Sequence, residues 1–186
     1  MIKPWPKLSS TILGHYRIFR LRQDETVSPR TGRGHTFYVL EATDWVNVIP
    51  LTADSEVVMV RQYRHGTGTV TLELPAGMAD HDGETAAAAA ARELREETGY
   101  VAREIIHLGS VEPNPAFLNN RCHTFLAVDA APVHVPSFDG GEDILVERVS
   151  LADIPAMITS GLITHSLTIC AFYYFYFEHS GHSRET

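Results

Sequence analysis

The chain has 186 residues, 44% of them hydrophobic and 20% charged, with a formal net charge of −8 and a pI near 5.6. That is the balance of one compact domain, or of one domain with an appended subdomain, that buries a sizeable core. The acidity argues against bulk binding of nucleic acid or of a membrane surface, and leaves a local basic cluster as the grip for phosphates.

The opening "MIKPWPKLSS" has no long apolar core, so no signal peptide is read there and a cytoplasmic location is expected. "HYRIFRLRQDETV", residues 15–27, alternates Tyr16, Ile18 and Leu21 imperfectly with polar residues and reads as a strand. Strands follow in "HTFYVLEA", "WVNVIPLT", "EVVMVRQY" and "TVTLELP", set apart by the turn signals "SPRTGRG", "TDW", "TADSE" and "HGTG". At residues 85–98, "TAAAAAARELREET", strong helix formers take over; Gly83 and Glu84 suit the start and Gly99 the end. Strands resume in "EIIHLGSVE" and "CHTFLAVDA", a loop "APVHVPSFDGGED" intervenes, and "ILVERVS" is a further strand. Two helices close the chain, around "LADIPAMITSG" and "THSLTICAFYYFYFEHS"; the run "LTICAFYYFYF" is too short to span a bilayer. Cys122 and Cys170 sit in apolar neighbourhoods outside any CxxC and read as buried free thiols. This order of elements gives an α+β or layered α/β/α domain.

The helix at 85–98 poses a charge problem. Glu93 lies three residues before Glu96 and four before Glu97, so the three carboxylates share a face, with Cβ atoms about 5–6 Å apart. The residues alone allow two readings. The glutamates form a solvated face, partly neutralised by Arg92 and Arg95, or they hold hard divalent cations, which favour oxygen ligands on a rigid support. The preceding strand and turn, "LELPAG", bring the backbone at Gly77 towards the same place. The alanine run lets the helix approach a sheet closely.

The order Gly77, Glu84, Arg92, Glu93, Leu94, Glu96, Glu97, Gly99, Tyr100 resembles the Nudix box. Seven residues separate Glu84 from Arg92, as in that motif. Six rather than five separate Gly77 from Glu84, so one residue is inserted in "MADHDG", and Tyr100 stands where an aliphatic residue is usual. The resemblance implies an α+β fold (the α/β/α sandwich of Nudix proteins) with an extra N-terminal β-region. It divides the chain into a β-region at 1–43 for dimerisation, a hydrolase domain at 44–180 and a disordered tail at 181–186. It also implies hydrolysis of nucleoside diphosphates linked to a second group, with Mg²⁺ (or Mn²⁺) screening the diphosphate and activating water. Carried over, Glu93 and Glu97 are the principal metal ligands, Glu96 a further or water-mediated one, and the Ala76 carbonyl a backbone ligand. Gly77 and Glu84 support the site, and Arg92 fixes a carboxylate.

"VRQYRHG" before "LELPAG" resembles the ADP-ribose and nucleoside-diphosphate-sugar pyrophosphatases, as does Pro115, sixteen residues past Gly99. That group implies a small nucleotide substrate, a homodimer, and a late acidic loop supplying a ligand or the general base. Here the loop offers Glu142, with Asp139 and Asp143 behind it; Glu142, Glu96 and Arg92 form the expected catalytic set. Arg61 and Arg64 are candidate clamps on the diphosphate, and Trp45 and Trp5 candidate stacking platforms for a base. Each also has a structural role open to it, as strand-end cations or core aromatics. Alternatives are a catalytically silent Nudix module that binds a nucleotide and regulates a partner, or a Nudix hydrolase of another nucleotide. Two cysteines cannot build the four-cysteine zinc site that accompanies NADH cleavage, and the net charge does not favour RNA decapping.

Overall fold

The computed structural model describes residues 1–79, 83–138, 141 and 143–179, which cluster into two units: Met1–Thr43 with Glu112–Arg121, and Asp44–Val111 with the remainder from Cys122 onward. Strands β1 (Lys7–His15), β2 (Arg20–Val27) and β3 (Gly34–Glu41) of the first unit form an antiparallel sheet in chain order. Here the structure corrects the sequence expectation of one strand over 15–27. Tyr16 N–H donates to the Phe19 carbonyl at 2.9 Å, closing a turn before β2. The extra strand β1 was illegible because nearly all of it is exposed, so no buried alternation marks it. Asp24 is the polar centre of this sheet. It is 5% exposed, accepts two hydrogen bonds from Arg22 at 2.9 Å and pairs with Lys7 at 3.0 Å. Burial pushes its carboxyl up, but bonds from Ser10, Lys7 and Arg22 outweigh this and hold it at about 2.

The second unit is built on β4 (Trp45–Leu51), β5 (Glu56–Arg64), β6 (Thr69–Glu73), β7 (Ala76–Met78), β9 (Glu104–Val111), β10 (Cys122–Val128) and β12 (Ile144–Ser150). The strand order is β12-β5-β4-β10-β9, with β6 on β5 and β7 on β4; β4 and β10 run parallel. The short strands β8 (Tyr100–Val101) and β11 (Ala131–Pro132) pair separately, giving the expected loop at 131–143 a strand at its start.

Period-two alternation sorts the central strands between two cores. Val46, Val48, Val58, Phe125 and Ala127 pack against Ala89, Ala90 and Leu94 of helix α1 (Ala86–Thr98). The intervening Ile49, Val57, Met59 and Leu126 pack instead with Ile154 of helix α2 (Ile154–Thr159) and with Ala171, Phe172 and Phe175 of helix α3 (Ser166–His179). The result is the expected α/β/α sandwich with additional N-terminal strands. Ala89 and Ala90 are fully buried, so the small face of α1 does lie on the sheet. The helix starts one residue later than Gly83 and Glu84 suggested: Thr85 is its cap, its hydroxyl accepting from Ala88 N–H at 3.2 Å. Cys122 is buried and Cys170 half-buried, both free; burial, then Cys170 and Asp44, push the Cys122 thiol up to about 12. Among the described residues no helix is long and apolar enough to cross a membrane.

Gly99 ends α1 at φ 74°, where its N–H donates to the Arg95 carbonyl at 2.8 Å, and a Cβ there would overlap the His134 backbone. Gly99→Ala is therefore expected to cost about 1 kcal/mol or more in urea unfolding, because both the positive φ and the close approach need glycine. Asp24 generates an acid-side expectation. Its folded pKa lies below the unfolded value of 3.8. The stability it contributes is therefore present above about pH 4 and lost as pH falls towards 2. The advantage of the wild type over Asp24→Asn, followed by urea titrations, should shrink by about 2 kcal/mol across that window.

Candidate functional site

Strand β7 lies along the acidic face of α1, and three successive residues meet it. Ala76 N–H donates to Glu97 Oε2 at 3.1 Å. Gly77 sits so close to the Glu93 carboxylate that a Cβ would overlap it. The Met78 carbonyl accepts from Arg92 Nη2 at 3.0 Å. Register with β4 holds this segment in place, pairing Asn47 with Ala76, Val46 with Gly77 and Trp45 with Met78.

Arg92 resolves the charge problem of the helix. Its Nε and Nη2 reach the two oxygens of Glu84, each at 3.1 Å, and Nη1 reaches Glu93 Oε1 at 2.8 Å and Glu96 Oε2 at 3.2 Å. Planar forks of this kind suit carboxylates better than an ammonium would. The Glu84 bonds foremost, then the nearby charge and hydrogen bond of Glu93, raise the Arg92 pKa against the opposing effect of burial. Glu97 is 4% exposed, while the side chain of Glu96 retains 39%. The face thus grades from a buried carboxylate against the backbone to one open to solvent.

The donors Glu93, Glu96, Glu97 and the Ala76 backbone are all oxygen, which fits a hard divalent cation, and Gly77 keeps space beside Glu93 that any side chain would fill. Among the described residues no three His, Cys, Asp or Glu side chains form a ready metal-ligand group. The glutamate carboxylates are bonded instead to Arg92 and to the Ala76 N–H. Glu142 and Asp139, named as ligand and base candidates, lie outside the described residues, as does the insertion around residues 80–82. Asp143 is exposed just before β12.

Of the other candidates, Arg64 ends β5 and forms a two-pronged bond with Glu73, Nε to Oε1 at 2.9 Å and Nη2 to Oε2 at 2.6 Å. Arg61 pairs with Glu147 of β12 at 2.6 Å. Trp45 is half-buried at the start of β4. Trp5 and Pro115 belong to the first unit; Trp5 makes edge contacts with His35 and Phe37, and Pro115 lies in an exposed turn closed by Asn114. Glu73 was missed by the sequence reading. Its signal was an acidic residue between Leu72 and Leu74 in a strand that otherwise enters the core, and its side chain is 0% exposed.

A family model described as the NUDIX domain matches residues 43–165. The chain is 32% identical over 163 residues to an ADP-ribose pyrophosphatase of Mycobacterium tuberculosis, covering 87% of this chain and 78% of that protein. It is 28% identical over 151 residues to an ADP-ribose pyrophosphatase of Bacillus subtilis, covering 81% of each. An ADP-sugar pyrophosphatase of Mus musculus is 36% identical over 140 residues, covering 71% of this chain and 61% of the relative. A solved structure of an ADP compounds hydrolase superposes with a TM-score of 0.85 at 21% identity, covering 99% of this chain and 98% of that one, and so shares its fold. With the family match spanning more than half of the chain and the acidic helix carrying the motif, the chain belongs to the Nudix hydrolase family.

Proposed function

We propose that this chain hydrolyses the diphosphate bond of ADP-ribose and of ADP-sugars, giving AMP and a sugar phosphate. The observation that carries the reading is the seam between β7 and α1, where Glu93, Glu96 and Glu97 face one backbone segment around Arg92. The similarity to ADP-ribose and ADP-sugar pyrophosphatases supports the substrate class. Water attacks one phosphorus, the bond between that phosphorus and the bridging oxygen breaks, and the bridging oxygen departs on the other phosphate, so that AMP and a sugar phosphate result. Divalent ions, Mg²⁺ first and Mn²⁺ as substitute, would be held by Glu93, Glu97, Glu96 and the Ala76 carbonyl, with Glu142 completing the set; they supply charge screening and a more acidic water. Arg92 keeps Glu84 and Glu93 fixed, while Glu96 and Glu142 are the acid–base candidates. Arg64 and Arg61 bind the diphosphate, and Trp45 borders the site strand through its register partner Met78. Pro115 and other sugars such as GDP-mannose belong to the same reading through the resemblance in "VRQYRHG" and "LELPAG".

The chain should release AMP from ADP-ribose with Mg²⁺, lose that activity in EDTA and regain it with Mg²⁺ or Mn²⁺. No release from any member of a panel of ADP-ribose, ADP-sugars and GDP-mannose would overturn the reading. Glu97→Gln should lower kcat about a hundredfold or more while the fold persists, as expected for loss of one preorganised charge-stabilising group. Gly77→Ala should do the same with little loss of thermal stability, because the intruding Cβ meets only the far end of the Glu93 side chain and no backbone.

We also place the protein in the cytoplasm as a homodimer joined through its N-terminal strands. The first unit leaves Leu8, Ile12, Leu13, Phe37 and Tyr38 exposed, apolar side chains on its two faces that a second copy would cover in part. Sedimentation velocity should show a dimer, reduced to monomer by Leu13→Glu combined with Phe37→Glu; a wild-type monomer at micromolar concentration would reject the assembly.

A further inference from the structure

Glu73 is a fully buried carboxylate on a strand that ends three residues before Ala76. A charge taken out of water needs a partner and further hydrogen bonds to stay ionised. Glu73 has both. Arg64 reaches it through Nε and Nη2, the Thr71 hydroxyl donates to Oε1, and His165 Nδ1 stands 3.5 Å from Oε2. Burial pushes its carboxyl up, but the Arg64 and Thr71 bonds prevail and it stays ionised. Burial, against the charge of Glu73, lowers the His165 pKa, leaving Arg64 as the main counter-charge.

The same residues fix the backbone on the way to the site. Thr168 Oγ1 accepts from Leu74 N–H at 3.2 Å and lies 3.1 Å from His165 Nδ1, and Asn47 Nδ2 donates to the Leu167 carbonyl at 3.1 Å. Residues 165–168, entering α3, are thereby tied to β4 and to the segment that becomes Ala76. A guanidinium carries five N–H groups in a rigid plane. Bound along its Nε–Nη2 edge, it keeps its Nη1 edge for another anion, and the Arg64 side chain remains 40% exposed. After the dominant bonds from Glu73, the charge of Glu97 also raises the Arg64 pKa, so Arg64 lies within electrostatic reach of the acidic helix.

We infer that Glu73 is a positioning residue for the reaction: it holds the Arg64 guanidinium by one edge so that the other edge meets the diphosphate of the substrate. Glu73 itself touches no substrate and acts through Arg64. The inference rests on the pyrophosphatase reading above. A buried ion pair serving the fold alone would contribute stability without setting the fit to phosphates, and the two roles separate in a double-mutant cycle.

Kinetics on ADP-ribose with Mg²⁺ would be measured for the wild type, Glu73→Gln, Arg64→Ala and the double variant, with thermal unfolding alongside. Glu73→Gln should reduce kcat/KM about tenfold or more, chiefly by raising KM, and should have less than a twofold effect once Arg64 is alanine. A kcat/KM for Glu73→Gln equal to that of the wild type, or an equal loss with and without Arg64, would overturn the inference. Should Glu73→Gln not fold, Glu73→Asp, which keeps the charge and withdraws it by one methylene, takes its place under the same criteria. A wild-type chain inactive on ADP-ribose would instead sink the pyrophosphatase reading. Calorimetric binding of inorganic pyrophosphate with Mg²⁺ would then still test the clamp. Tighter binding by the wild type than by Glu73→Gln supports it, and equal binding rejects it.

Discussion

Everything about the site depends on one arginine placed among like charges. Three carboxylates on successive turns of α1, with Glu84 just before the helix, would repel one another at the short distances that helical geometry imposes. Arg92 bonds Glu84, Glu93 and Glu96 together and adds the Met78 carbonyl. That last bond matters as much as the ion pairs, because it ties the charged helix face to β7. It adds a polar tie to the apolar packing of Ala89, Ala90 and Leu94 that sets the helix on the sheet. With it, the Ala76 N–H and Glu97 carboxylate meet, and Gly77 leaves the Glu93 carboxylate room.

The rest of the sandwich serves this seam. Alternating side chains on β4, β5 and β10 bury apolar groups against α1 on one face and against α2 and α3 on the other. Alanines at 89 and 90 let α1 lie close enough for its polar edge to touch backbone. On the opposite face the start of α3 is fastened by Asn47 and Thr168, which steadies the segment joining β6 to β7. The site is thus held from both layers.

A buried charge pair is a costly device for stability alone. Arg64 pairs in register with Thr69 and Glu73 with Val60, so their ion pair runs diagonally between β5 and β6. The Arg64 side chain stays 40% exposed in that pair, which accords with a role for the guanidinium outside the fold itself. The N-terminal sheet uses charge differently: Asp24, Arg22 and Lys7 form a polar centre in a thin sheet that has little apolar material to bury.

The sequence by itself determined the acidic helix, its glycine stop, the family motif and the existence of the central strands. These are written locally: strong helix formers with carboxylates at helical spacing for α1, apolar runs between turn signals for β4, β5 and β10, and a left-handed conformation at Gly99 that glycine adopts freely. It did not disclose β1, whose exposed residues carry no periodic signal, nor the cap at Thr85, which depends on one side chain choosing one backbone N–H. Only the tertiary structure decided that Arg92 would unite four groups from three segments, that Arg64 would turn to a buried Glu73, and that Ala76 would face Glu97. Glu93 and Glu96 neighbour Arg92 on the helix, but the other contacts join residues 8 to 21 positions apart in the chain, and chain spacing fixes neighbours only within a turn or a strand; beyond that, packing of the sheet against its helices sets who meets whom.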